Sequence, residues 1–413
     1  MSLTSRERVW MALNHEETDR VPIDLGSSRS TGINANAYNN LKKHMGITTD
    51  TVCFDVKQDL AYADFDLLKQ LGVDVVILPR LVPSMGIPID KLKPGKLPCG
   101  GGDCLLAEGF NPVDIGGGTE GAYDAKGNLR GKRAAGSLYF DECFTPLENA
   151  ESEADIDKWM AEYGPSISDY ECDWLRARAK DIYENTDFCI SGATSTSLFE
   201  KGWKDWGMQT FMENLYIEPE LVEYYLDRLT DAYIVMMDKY LDAVGDYVDV
   251  VQNNDDFGSQ RGLLISADTY RKLFKPRHAR INEAIRKKKK DIHISLHCCG
   301  SIYPIIGDII ESGYDILNPI QKETENMDPY RIKKEFGKNM TIWGGACSTQ
   351  TTLTHGTIDE IIAECKEMIK CYAPGGGFVY SQIHNIQADI SPEKILAVFN
   401  TALEFGKPEF YRD

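Results

Sequence analysis

Eight short runs rich in apolar and β-branched residues punctuate this sequence, at 21–25, 74–78, 188–192, 247–252, 292–297, 314–318, 340–344 and 377–381. Helical patterns separate most of them. The stretch 221–244 repeats its apolar residues at roughly the 3.6-residue period of a helix. Ser266 is placed to cap a helix over 267–286, and Ser391 to cap one over 392–405 that opens on Pro392. The stretch 357–372 sets Ile361, Ile362, Cys365, Met368 and Ile369 on one face. Eightfold alternation of strand and helix leaves few architectures open, and the expectation is a (β/α)8 barrel. A doubly wound open sheet is the alternative, but no Gly-x-Gly-x-x-Gly follows a strand run. The 413 residues are expected to form a single barrel domain over 1–413.

One stretch does not alternate. Residues 92–147 are rich in Gly and Asp and read as a long excursion between the second and third strands, hairpins forming a lid or wall. Within it, Gly100-Gly101-Gly102 and Gly116-Gly117-Gly118 lie in irregular surroundings and read as turns, not as phosphate loops.

Charge and cysteine usage narrow the function. The net charge is −19, which disfavours nucleic acid and anionic membranes as partners. No apolar run approaches the roughly 20 residues of a membrane span. The N-terminal residues lack an apolar signal segment, so a cytoplasmic location is expected. The 11 cysteines show no framework spacing, which suits reduced thiols and metal ligands better than disulfides.

In a barrel of parallel strands the chemistry sits at the C-terminal strand ends. Those ends are polar here, while the strand interiors are apolar. The fifth supplies Ser295-Leu296-His297-Cys298-Cys299-Gly300. Residues i and i+2 of a strand share a side, so His297 and Cys299 form half a zinc site. The eighth supplies His384, either a third ligand or a metal-free hydrogen-bonding imidazole. The seventh supplies Cys347, either a further ligand, a substrate-facing thiol or a packing residue. Cys298 reads as a small buried hydrophobe. Asp255 and Asp256, at the fourth strand end, are candidates to orient ligands or to act as a general base. Arg29, Arg80, Asn254 and Gln321 are candidate substrate contacts. Phe199, Trp203 and Tyr380 are candidate walls of an apolar pocket.

Longer stretches carry a resemblance. Ser5-Arg6-Glu7-Arg8-Val9 through Leu13-Asn14-His15-Glu16-Glu17-Thr18-Asp19-Arg20-Val21-Pro22 is one. Asp315-Ile316-Leu317-Asn318-Pro319-Ile320-Gln321, Trp343-Gly344-Gly345 and Ala373-Pro374-Gly375-Gly376-Gly377 are others, followed by His384-Asn385-Ile386-Gln387-Ala388-Asp389. Together they resemble the uroporphyrinogen decarboxylase superfamily, which implies the same barrel and frequent homodimers. The true decarboxylases carry an Arg-Gln-Ala-Gly-Arg loop and an Asp at the second strand end. Here those places read Gly26-Ser27-Ser28-Arg29-Ser30-Thr31-Gly32 and Leu78-Pro79-Arg80. The other branch, the cobamide-dependent methyltransferases, binds zinc through His-x-Cys-Gly, which His297-Cys298-Cys299-Gly300 resembles. Its third ligand is a Cys after the eighth strand, a place held here by His384.

The resemblance therefore implies a zinc-dependent methyltransferase. It would move a methyl group between a small methylated compound, such as a methoxylated one, and a corrinoid. No Asp-x-His-x-x-Gly motif occurs in the sequence, so the corrinoid is expected on a separate protein. A decarboxylase or lyase of a small carboxylic acid or porphyrinogen-like substrate, using Arg29, Arg80 and His384, is the second reading. A non-catalytic barrel that binds a corrinoid or tetrapyrrole is the third.

Overall fold

Seven of the eight runs pair side by side in one parallel sheet. Its order is Phe378–Val379, Thr341–Trp343, Ile316–Asn318, His293–His297, Val250–Asn254, Cys189–Thr196 and Val75–Leu78. The remaining run closes the ring through two parallel bridges, Ile23 to Tyr380 and Asp24 to Val75. The Asp24 N–H donates to the Tyr380 carbonyl at 2.8 Å, and the Asp74 N–H to the Ile23 carbonyl at 2.7 Å. The result is the expected (β/α)8 barrel. The computed structural model describes residues 3–97 and 102–412. None of its helices is long and apolar enough to cross a membrane.

The helices fall where the periodicity placed them, with one interruption. Pro219–Val244, Ile358–Tyr372 and Pro392–Phe405 are continuous. The predicted 267–286 helix is instead Ala267–Thr269, a π turn at Tyr270–Phe274, and Lys275–Lys288. Pro276 explains the break: it has no N–H to donate, and its ring would collide with the carbonyl four residues earlier.

The N-terminal end of the barrel is plugged. Helix Ser5–Leu13, opened by a Thr4–Glu7 capping box, buries Val9 and Leu13 against Val75, Cys189, Val250, Ile316, Trp343 and Val379. Arg8 ties this plug to Asp19 at 2.6 Å and Asp74 at 2.7 Å. The plug leaves the opposite rim as the accessible face. His293 lies at the plugged end, its ring 5.0 Å from Trp10. Burial lowers the tendency of His293 to protonate, and does the same at His15. The unfolded chain thus binds protons below about pH 6.5 that the folded chain refuses, so stability falls as pH drops through that range. The urea midpoint is expected to be lower at pH 5 than at pH 7, and His293→Phe to shrink that difference.

The 92–147 excursion folds into antiparallel hairpins. Val113–Asp114, Glu120–Tyr123, Leu129–Arg133 and Asp141–Glu142 form one four-stranded sheet. Gly116, Gly117 and Gly118 make the turn between its first two strands, at φ of 110°, 63° and 74°; these are left-handed values that glycine adopts without strain. Gly100 and Gly101 lie outside the described residues. Leu92–Lys96 and Asp103–Ala107 join Val52–Asp55 and Leu60–Tyr62 in a second sheet. The excursion therefore shares a sheet with chain that precedes the barrel strand Val75–Leu78.

Candidate metal centre

His297 is the last residue of strand His293–His297, and Cys299 follows on the turn out of it. That turn is fixed from three sides. The Cys299 N–H donates to Asp256 Oδ1 at 2.6 Å, and the Gly300 N–H to Gln321 Oε1 at 2.9 Å. Gly300, at φ 89°, lies so close to Gly258 that a Cβ there would sit 2.5 Å from its carbonyl carbon. Only glycine fits that turn. His384 rides on the loop after the last strand, which is clamped at both ends. The Ile383 N–H donates to the Cys347 carbonyl, and the Ile386 N–H to the Gly32 carbonyl, each at 2.9 Å.

These two loops bring one ligand atom each from His297, Cys299 and His384 within 4.8 Å of one another. Cys299 Sγ is 3.2 Å from His297 Nε2. A tetrahedral zinc with nitrogen and sulfur ligands has donor–donor edges of roughly 3.5 Å, so the spacing is on the scale that zinc requires.

Both imidazoles have a tautomer fixed by a backbone carbonyl. The Asn318 Nδ2 donates to the Trp343 carbonyl at 2.8 Å. Its Oδ1 therefore faces His297 Nδ1, 2.6 Å away, and accepts a proton from it. The second ring follows the same logic. Gln387 Nε2 donates to the Asn385 carbonyl at 3.2 Å and to Asn385 Oδ1 at 2.7 Å. Asn385 Oδ1 thus accepts from His384 Nδ1 at 2.7 Å. Each histidine is left with a lone pair on Nε2, the state a metal ligand needs.

Electrostatics favour a cation here. Burial holds His384 neutral, its pKa lowered to about 4, with His297 adding to the effect. Burial pushes the Cys299 thiol well up and Asp256 pushes it further, so a thiolate at this position needs a positive partner. Burial raises the Asp256 carboxyl to about 6; Glu200 reinforces this, and His297 opposes it only when protonated. Asp256 Oδ1 lies 3.9 Å from His297 Nε2. Burial also works to raise Glu200, but Lys204 and Arg29, joined by His297 when protonated, overcome it and hold its pKa below the usual value.

A cleft beside His297 is lined by Ser27, Ser28, Gln252, Asn254 and Asn318. Asn254 also lines an open cavity of about 330 Å³ at the rim, with Arg29, Glu142, Glu200 and Lys204. The cations there are already engaged. Arg29 pairs with Asp55 at 3.4 Å and Lys204 with Glu200 at 3.3 Å, while Lys57, outside the lining, holds Glu142.

The structure separates several residues that the sequence grouped. Cys347 is not among the converging atoms: its buried thiol faces Glu364 Oε2 at 3.7 Å, and its backbone carbonyl is what steadies the His384 loop. Asp255 is wholly buried and accepts the N–H groups of Leu198, Phe199 and Glu200 and a contact from His278 Nε2 at 3.1 Å. With its oxygens so occupied it caps helix Phe199–Trp206 and has no capacity left for a base. Arg80 lines the cavity but is clamped by Glu171 at 2.5 and 3.0 Å and by the Thr194 and Ser166 carbonyls. Phe199 is fully buried and stacks on Phe257 at 4.9 Å, with Trp203 against its edge. Tyr380 points outward to the helical layer, its hydroxyl on the Val398 carbonyl at 2.8 Å. Gln321 holds the Cys299 turn. These four pack or brace the barrel. Asp256, Asn254 and Arg29 remain beside the donor set or its cavity.

The sequence reading passed over Ser30, whose hydroxyl lies 3.2 Å from His297 Nε2. It also assigned no role to Asn318 and Asn385, although both stand at strand ends; an imidazole's need for a partner on its other nitrogen was the available signal. The Arg80–Glu171 clamp yields a direct prediction. Both side chains are under 10% exposed. Glu171→Leu leaves a buried guanidinium uncompensated and should cost about 3 kcal/mol, read as a lower urea midpoint with little change in metal content.

A family model described as Uroporphyrinogen decarboxylase (URO-D) matches residues 173–405. The chain belongs to the URO-D family. The matched residues contain His297, Cys299 and His384; the 92–147 excursion lies outside them. Among curated relatives, Methylcobamide:CoM methyltransferase MtaA of Methanosarcina barkeri is 27% identical over 189 residues, 44% of this chain and 51% of that protein. The chain thus spans about half the length of the curated relative it matches. Among solved structures, a methyltransferase from Methanosarcina mazei is similar with a TM-score of 0.56 at 20% identity, covering 98% of this chain and 99% of that one. That likeness shows the shared barrel fold.

Proposed function

We propose that this URO-D family member is a zinc-dependent methyltransferase. It would move a methyl group between a small methylated compound, such as a methoxylated one, and a corrinoid carried by a separate protein. The observation that supports it most is the convergence of one ligand atom each from His297, Cys299 and His384 within 4.8 Å, with both tautomers fixed for ligation. The similarity to a protein named for methylcobamide and CoM points to the same chemistry.

In this reading His297, Cys299 and His384 would hold the metal, the three-residue donor set of catalytic zinc sites. Zinc bound there supplies a Lewis acid for the heteroatom that carries the methyl group. The chain's own residues do the rest. Asn318 and Asn385 keep the two rings aimed. Asp256, whose Oδ1 lies 3.9 Å from His297 Nε2, would exchange the proton with that heteroatom. In the transfer the methyl carbon would pass to the reduced corrinoid, which supplies the pair for the new bond, while the heteroatom keeps the old bonding pair and takes the proton. Asn254 and Arg29 line the way in from the rim.

The decarboxylase reading has less support. A polycarboxylate substrate needs free cations, and among the described residues Arg29, Lys57, Arg80 and Lys204 each already face a carboxylate. The test is direct. Purified protein is analysed for zinc, then mixed with reduced cobalamin and a panel of methoxylated compounds while methylcobalamin is followed by absorbance. About one zinc per chain and methylcobalamin formation with at least one compound are expected. Zinc-free protein that transfers no methyl group, or that releases carbon dioxide from a small acid, sinks the proposal. Tight cobalamin binding with no turnover favours the non-catalytic reading.

A further inference from the structure

The second tautomer relay does not end at Gln387. Asn385 Oδ1 takes a third donor, the hydroxyl of Tyr139 at 3.0 Å, and that hydroxyl in turn accepts from Gln387 Nε2 at 2.7 Å. Tyr139 belongs to the excursion, between strands Leu129–Arg133 and Asp141–Glu142. Its place is set by its neighbour. Phe140 is fully buried, 5.9 Å from the Phe110 ring and 4.3 Å beneath the Arg133 guanidinium, and its N–H donates to the Lys57 carbonyl at 3.0 Å. Asn385 is 1% exposed, and its Nδ2 is buried without a partner. The amide is therefore held through its oxygen alone, and two of its three contacts come from Tyr139 and Gln387.

We infer that Tyr139 is a positioning residue: its hydroxyl pins Asn385 Oδ1 onto the His384 Nδ1–H and so keeps His384 Nε2 turned toward Cys299 and His297. This rests on the metal-binding reading given above. It assigns the excursion a direct part in shaping the centre, although the excursion lies outside the residues matched to the family. With the hydroxyl gone, the Asn385 amide keeps fewer restraints, and the His384 ring gains freedom that a bound metal must remove. Loss of such an outer partner of a metal-ligating histidine typically weakens affinity 10- to 100-fold.

The experiment titrates metal-free full-length protein with zinc against a chromophoric chelator, and records the visible spectrum of each protein loaded with cobalt(II). The parent is compared with Tyr139→Phe, Gln387→Met, His384→Ala and the Tyr139→Phe/His384→Ala double variant. Tyr139→Phe and Gln387→Met should each weaken zinc binding roughly tenfold and shift the cobalt bands. The double variant should bind no more weakly than His384→Ala alone, because Tyr139 acts through His384. Equal affinity and an unchanged cobalt spectrum in Tyr139→Phe, with His384→Ala weakened, overturn this inference and leave the metal reading intact. So does an equal loss from Tyr139→Phe in both backgrounds, which marks a general effect on the fold. A parent that binds no zinc overturns both.

Discussion

Cys299→Ala protein should purify with less than about one-tenth of the parent's zinc and transfer no measurable methyl group. Structural four-ligand zinc sites are worth roughly 10–16 kcal/mol, so one ligand accounts for about 3 kcal/mol, or a 100-fold loss of affinity. Cys299 is the only thiol among the three converging donors, and its loss removes the anionic ligand. His297→Ala should behave alike. Both residues lie where a strand ends, so their truncation leaves the barrel core untouched. The thermal midpoint of either metal-free variant should stay within a few degrees of the parent stripped with a chelator. Full zinc content by elemental analysis in Cys299→Ala would show that the donor set is not a zinc site.

Asp255→Ala should be the most destabilising single change at the rim, by about 4 kcal/mol. Its carboxylate accepts three successive N–H groups at the start of helix Phe199–Trp206 and faces His278, all in a fully buried setting. Truncation orphans those donors and removes the cap; an N-cap is worth about 1 kcal/mol, and each stranded buried partner adds 1–3 kcal/mol. Asp255→Asn keeps one acceptor oxygen but sets an amide N–H against backbone N–H groups, so it should recover only part of the loss. Urea unfolding followed by circular dichroism reads both. Near-parental stability of Asp255→Ala with catalysis lost would return this residue to the role of a base.

The architecture was legible because eight apolar runs and intervening periodic stretches state their own periods. The centre was legible in part. His297, Cys299 and His384 stood at strand ends, and the ring of strands did the rest. Asp255 and Asp256 were indistinguishable as neighbours in sequence; only the direction of each side chain shows that one serves a helix start and the other the donor set. Arg80 looked like a free cation because its counter-charge, Glu171, lies far along the chain. Phe199 and Tyr380 looked like pocket walls because an aromatic near a strand end carries no sign of which way it turns. Cys347 stood at a strand end as the ligands do, but its thiol turns to Glu364. Tyr139 carried no signal at all, since it sits in a stretch without periodicity and its partners are some 250 positions away.

The sheet shared by Val52–Asp55 and Asp103–Ala107 bears on how this protein can be re-engineered. The hairpin segment is not a detachable cassette. Excising 92–147 would unzip one long side of Val52–Asp55 and leave a naked β edge that invites aggregation. A shorter deletion confined to the second hairpin sheet, residues 113–142, would spare that edge while removing Tyr139. Trimming or swapping this region to alter substrate choice therefore has one workable boundary, and it falls after Ala107.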